Sequence, residues 1–244
     1  MRGNLKTEKN KIMSKINKEV KDDNLQTVET ALSKTEQFIE DNQKILIIAI
    51  SAIVLVVLGY IAFNRYIMEP REEEARSQMF AAEQYFARDS FNLALNGTGN
   101  EFGFLQIIDE YGMTKSANLA NYYAGICYLH LGQFEEAIDY LNNFSSDDQL
   151  IAPIAFGATG DAYSELGNNK DAAKFYKKAG EISENQFTSP IYLMKAGKSF
   201  EAMEDYKNAY KIYKSLKEKF PKSTEARNVD KFISRAKIKG NIKD

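Results

Sequence analysis

An uninterrupted apolar run from Ile45 to Phe63 constrains this chain more than any other feature. It reads ILIIAISAIVLVVLGYIAF, nineteen residues without a charge, with Lys44 before it and Asn64-Arg65 after it. As a helix rising ~1.5 Å per residue, it comes close to the ~30 Å hydrocarbon thickness of a bilayer. Thirteen of the nineteen are Ile, Leu, Val or Phe. At ~0.3–0.6 kcal/mol each, they favour insertion by about 4–8 kcal/mol. The alternative is the buried core helix of a soluble protein, but such helices carry a polar stripe and this run has none. The run is read as a membrane span.

No second apolar run follows, so the expected organisation is a tail of residues 1–44, a span of residues 45–63 and an outer domain of residues 64–244. Forty-four residues precede the run and no A-x-A-like site follows it, unlike a cleavable signal peptide. The tail holds nine Lys and Arg, seven of them between Arg2 and Lys21. It is the only short flank, so the positive-inside rule places it in the cytoplasm. Within it, Leu25, Val28, Leu32 and Ile39 share one face of a helix over about residues 24–43. That helix could lie on the membrane as an extension of the anchor, or dock a cytoplasmic partner.

Composition narrows the function. A net charge of −2 lacks the basic footprint of a nucleic-acid binder. One cysteine, Cys127, and one histidine, His130, make neither an internal disulfide nor a clustered N/S metal site. No nucleophile stands in recognisable catalytic company, and Gly97-Thr98-Gly99 reads as a turn, not a phosphate loop. No enzyme activity and no cofactor are expected.

The outer domain repeats itself. Gly125, Tyr128, Gly132, Phe134 and Ala137 of the first segment align with Gly160, Tyr163, Gly167 and Ala172 of a second. Gly197, Phe200, Tyr206 and Ala209 form a third. The glycines lie 35 and 37 residues apart. These residues resemble the tetratricopeptide repeat, a helix–turn–helix unit with a period of ~34. Small residues at 125, 160 and 197 let paired helices approach, and Gly132 and Gly167 end first helices with a left-handed turn. Glu204 replaces the third turn glycine, and Asn169 replaces the aromatic of Phe134 and Tyr206. A degenerate earlier unit carries Ala82, Tyr85, Phe91 and Ala94, is interrupted at residues 96–100, and resumes over about Phe104 to Glu110. A helix from Thr224 to about Lys237 is expected to cap the stack. The fold class is therefore all-α: a single apolar N-terminal helix, then a solenoid of three to four helix pairs and a cap, with no sheet.

In this repeat family the first helices line the inner wall of the stack. Carrying those positions over gives Met79, Glu83 and Phe86, then Leu119, Tyr122, Ile126, Leu129 and His130. Ile154, Asp161 and Ser164 follow, then Ile191, Met194 and Lys198. The apolar members either form a partner-binding groove or pack against the protein itself. On the apolar helix, Ala49, Ala52 and Gly59 share a side that either admits a second membrane helix or is an ordinary lipid-facing surface.

The order of charged tail, single span and degenerate repeats resembles the YfgM-like family of bacterial inner-membrane proteins. That resemblance implies an ancillary subunit of the Sec translocon with its repeats in the periplasm. The partners it implies are translocon membrane subunits, a membrane-anchored prolyl-isomerase-like chaperone and emerging exported chains. A structural scaffold of another envelope complex is the competing expectation.

Overall fold

The computed structural model describes residues 38–243, and every regular element among them is helical. The chain divides into two compact units, one ending at Asn64 and one beginning at Arg65. In the first, residues 38–63 form helix α1. The helical stretch Phe38–Phe86 is long and apolar enough to cross a membrane. Large apolar side chains stay exposed along it, Ile48 at 69% and Val56 at 72% among them. Most of the amphipathic helix expected over about residues 24–43 lies outside the described residues.

The second unit is built from helix pairs. A π-helical turn, Asn64–Met68, precedes α2 (Glu69–Phe86), which pairs with the short α3 (Phe91–Asn96). After α4 (Phe104–Tyr111) come the pairs α5 (Lys115–His130) and α6 (Phe134–Asn143), then α7 (Ile151–Glu165) and α8 (Asn169–Glu181). The last pair is α9 (Ser189–Ala202) and α10 (Tyr206–Lys219), followed by α11 (Val229–Lys239).

One turn joins the two helices of every pair. The amides of Ser90, Gln133, Asn168 and Asp205 each donate to a carbonyl five residues back, that of Tyr85, Tyr128, Tyr163 and Phe200. In each, the preceding residue is left-handed: Asp89 (φ 56°), Gly132 (76°), Gly167 (74°) and Glu204 (59°). Glycine adopts this conformation freely, whereas an L side chain is strained there by roughly 1–2 kcal/mol. The degenerate first unit and the third repeat thus keep the geometry without the glycine. Three helices are capped in sequence-legible fashion: Thr114 accepts the Ala117 amide, Asn168 that of Asp171 and Asp205 that of Asn208.

Within each later pair, the first helix presses on the second at one glycine. A Cβ at Gly125 would sit 2.5 Å from Leu141 Cγ, and one at Gly160 2.6 Å from Tyr176 Cδ1. At Gly197 it would sit 2.2 Å from Tyr213 Cε1. In the first pair α3 stops at Asn96, and alanine, buried, holds position 82. The stop is made by Gly97 and Gly103, whose missing side chains let the backbone of residues 95–103 fold onto itself.

The terminal helix begins later than the expected Thr224. After Phe220 the chain turns at Ser223, whose hydroxyl accepts the Ala226 amide (3.1 Å), and passes through a 3-10 turn before Val229. Val229 and Ala236 are fully buried and complete the core of Leu193, Tyr213 and Leu216. Replacing Gly197 with Ala is expected to cost about 1–2 kcal/mol in urea denaturation, overpacking outweighing the gain in helix propensity. Glu204→Gly is expected to stabilise by about 0.5–1 kcal/mol in the same measurement, because the left-handed strain is removed.

Candidate functional site

The first helices α2, α5, α7 and α9 stand side by side, and the residues expected on their shared wall have three fates. Met79 and Met194 are buried, at 3% and 9% exposure. Phe86 joins an aromatic cluster, edge-on to Tyr123 at 5.0 Å and Phe91 at 5.8 Å. Tyr122, Ile126 and Leu129 pack on Leu141, Ala155 and Ala158, filling the joint between the second and third pairs. Leu119 and Ile154 are half-buried, and Ile191 is 43% exposed. His130 is exposed and stacks on Phe91 at 4.4 Å. Ala49, Ala52 and Gly59 are exposed on α1, and nothing lies within 4 Å of a Cβ built at Gly59.

An open cleft of about 420 Å³ lies between α2 and α5, with Met79 and Leu119 among its lining and Glu72, Arg76, Glu83, Lys115 and Ser116 around them. Glu72 closes one end by capping α5. Its carboxylate accepts the amides of Lys115 (2.7 Å) and Ser116 (3.1 Å) and the Ser116 hydroxyl (2.9 Å). Burial pushes its pKa up, but these hydrogen bonds and Arg76 outweigh it, and the net shift is downward. Glu83 has no such donors, and burial raises its pKa.

A second polar junction ties three helices. Asp161 on α7 accepts from the Tyr176 hydroxyl on α8 and from Lys195 on α9, both at 2.6 Å. Beside it, the Tyr192 ring lies flush on Gly157, where a Cβ would approach within 2.0 Å. Burial, with Asp161 and Tyr122 nearby, pushes the Tyr192 hydroxyl up to about 12. A third junction fastens the cap: Arg235 on α11 donates twice to Glu201 (2.8 and 2.5 Å), which also accepts from the Tyr213 hydroxyl (3.0 Å). Sequence reasoning missed Glu72, Lys195 and Arg235 as organising residues. Their pairing is long-range, and only Glu72's place in a first helical turn was a local signal.

The Cys127 thiol is fully buried, which pushes its pKa up to about 12. Among the described residues, no group of three or more His, Cys, Asp or Glu could hold a metal ion.

The sequence matches the family model of the tetratricopeptide repeat over residues 119–147 and 192–223, the pairs α5–α6 and α9–α10. These two helix pairs are tetratricopeptide repeats. The pair between them, where Asn169 replaces the aromatic, keeps the same turn and the same glycine contact. Solved structures agree in fold. The chain is similar to the TPR-like repeats of a Podosopora anserina protein assigned as a kinesin light chain, with a TM-score of 0.51 at 13% identity. The match covers 70% of this chain and 88% of that one. A single-substitution variant of the same protein gives the same values. No curated protein sequence matches the chain. Tetratricopeptide repeats are protein-interaction scaffolds, and that is the class of function this unit supports.

Glu72→Gln is expected to cost about 1 kcal/mol at neutral pH, since a charged cap is replaced by a neutral one at a partly exposed site. Because the pKa of Glu72 is lowered from 4.5, its contribution is present above that value and is lost as the pH falls through its folded pKa. The difference between wild type and variant should therefore shrink in acid, measured by thermal denaturation across pH. Arg235→Ala is expected to cost about 1 kcal/mol and to increase amide exchange first in α11.

Proposed function

We propose that the chain is a single-pass membrane protein that holds a tetratricopeptide interaction unit at a membrane surface. The observation that carries this reading is the adjacency of two features: nineteen uncharged residues, Ile45 to Phe63, end six residues before α2, the first helix of the repeat stack. In this reading residues 1–44 are a cytoplasmic tail, residues 45–63 the span and residues 64–244 the periplasmic repeat unit of a bacterial inner-membrane protein. Tethering confines the repeats to two dimensions and raises their effective concentration near other membrane complexes without any new contact.

The finer assignment follows the YfgM-like resemblance: an ancillary component of the Sec translocon that binds a membrane-anchored prolyl-isomerase-like chaperone or exported chains as they emerge. The order of tail, span and degenerate repeats supports it. A second membrane helix would approach α1 at Ala49, Ala52 and Gly59. A partner segment would bind along the first helices where surface remains, at Leu119, Ile154, Ile191 and the α2–α5 cleft; Met79 and Met194 contribute from beneath.

Affinity purification of the full chain from detergent-solubilised membranes is expected to recover translocon subunits in a secretion-dependent manner. Leu119→Asp, at the cleft, should reduce recovery while the circular dichroism of the purified protein stays helical. Recovery of a different envelope complex in fixed stoichiometry, independent of secretion, would assign a purely structural scaffold instead. Protease treatment of spheroplasts should degrade the repeats and spare the tail.

A further inference from the structure

The repeat unit has two edges that differ in how much apolar surface they expose, Met113 (74%) and Phe187 (76%) on one against Leu131 (41%) and Leu166 (40%) on the other. Hydrogen bonds align the beginnings of the first helices along one of them. Glu72 in the first turn of α2 accepts the amides that open α5. Asn118 in the first turn of α5 bonds both ways with the Ser145 backbone in the α6–α7 loop, at 2.8 and 3.0 Å. Asn185 in the α8–α9 loop donates to the Gln149 carbonyl at 3.1 Å, joining that loop to the previous one. The left-handed turns at Asp89, Gly132, Gly167 and Glu204 lie at the other ends of the same helices.

Loop tips facing water are ordinarily polar, yet this edge presents large apolar side chains. Met113 is 74% exposed, Phe187 76%, Leu150 47% and Ile191 43%. Phe187 is held there by its surroundings. Asn185 accepts the amides of Phe187 (2.9 Å) and Thr188 (2.8 Å) and also donates to the Thr188 hydroxyl, fixing the backbone that carries the Phe187 ring outward. The charges nearby are mixed, Asp147, Asp148 and Glu184 against Lys115 and Lys219, so electrostatic attraction is not the common property of the edge. Exposed apolar surface is.

The chain itself says what lies close to this edge. Five residues separate Phe63 from Glu69, the start of α2, and even fully extended the six steps between them span only about 20 Å. Whatever the angle between the two units, the end of the apolar run stays within that reach of the edge on which α2 begins. Arg65, Tyr66 (80% exposed) and Ile67 (47% exposed) fill the interval with the residue types that suit a membrane–water boundary.

We propose that this edge of the repeat unit rests on the bilayer surface, with Met113, Leu150, Phe187 and Ile191 inserted among the headgroups and upper acyl chains. The inference rests on the reading of residues 45–63 as a membrane span. The insertion is apolar and shallow, of the order of 5–10 Å, and needs no anionic lipid. It would orient the repeats so that the wall of first helices stands across the membrane surface with the four turns pointing away.

The chain has no tryptophan, so a single introduced one reports without background. Full-length protein carrying Val54→Trp, Phe187→Trp, Met113→Trp or Leu166→Trp is reconstituted into phosphatidylcholine vesicles brominated either near the top of the acyl chains, for positions 187, 113 and 166, or near their ends, for position 54. Val54→Trp tests the span. Phe187→Trp and Met113→Trp probe the edge at two exposed sites, and Leu166→Trp lies at the opposite edge. The expected result is blue-shifted emission at positions 187 and 113, quenched about half as strongly as position 54 or more, with position 166 unquenched. Quenching at 54 but not at 187 and 113 overturns the edge inference and leaves the span standing. Blue-shifted but unquenched emission at 187 and 113 would mean that a second protein copy covers the edge, and overturns it too. Equal quenching at 166 also overturns it. No quenching at 54 removes the span and the inference together.

Discussion

The repeat unit depends on close approach at three glycines. At Gly125, Gly160 and Gly197 the first helix of a pair has no side chain, and a bulky residue sixteen positions on, Leu141, Tyr176 or Tyr213, occupies the space. That contact sets the separation within a pair. The second helix then carries the large apolar or aromatic group that the next pair packs against: the joint after α5–α6 is filled by Leu141 with Ala155 and Ala158. Close packing leaves little slack for any of these side chains to move independently. Rings one turn further out continue the pattern, Tyr128 on Tyr140 at 5.2 Å and Tyr163 on Phe175 at 5.3 Å.

Polar groups settle how the pairs join. Each junction is made by one acid that gathers donors from a neighbouring helix: Glu72 from α5, Asp161 from α8 and α9, Glu201 from α10 and α11. These acids are partly buried, so their charge is worth more than that of a surface ion pair and their loss leaves donors without acceptors. No buried side-chain nitrogen or oxygen lacks a partner among the described residues.

Much of this was legible in the sequence because it is local. The period, the turn at Gly132 and Gly167, and the small residues at 125, 160 and 197 all follow from helix geometry over short distances. Even the substitutions at Glu204 and in the first unit could be located, because the surrounding residues kept their register. What could not be read was which wall residues would be covered. Tyr122 and Leu119 lie three residues apart on α5, two turns and one turn from the same helix start, yet the first packs on Phe144 and the second borders an open cleft. That difference is decided by α6, α7 and α2, not by α5. The late start of α11 was hidden for a similar reason: the sequence after Phe220 is compatible with a helix, but the Ser223 hydroxyl claims the Ala226 amide and holds a turn there.

The cap closes a surface that repetition would otherwise leave open. The outer side of α10 offers Ile212, Tyr213 and Leu216, the type of face that each earlier pair presents to its successor. Without α11, the successor could be supplied by another molecule, and growth by that route has no natural end point, since every added copy exposes the same face again. Val229 and Ala236 occupy it, and the Arg235–Glu201 clamp holds them in place. With that face covered, α11 removes the surface by which one repeat stack would extend into another.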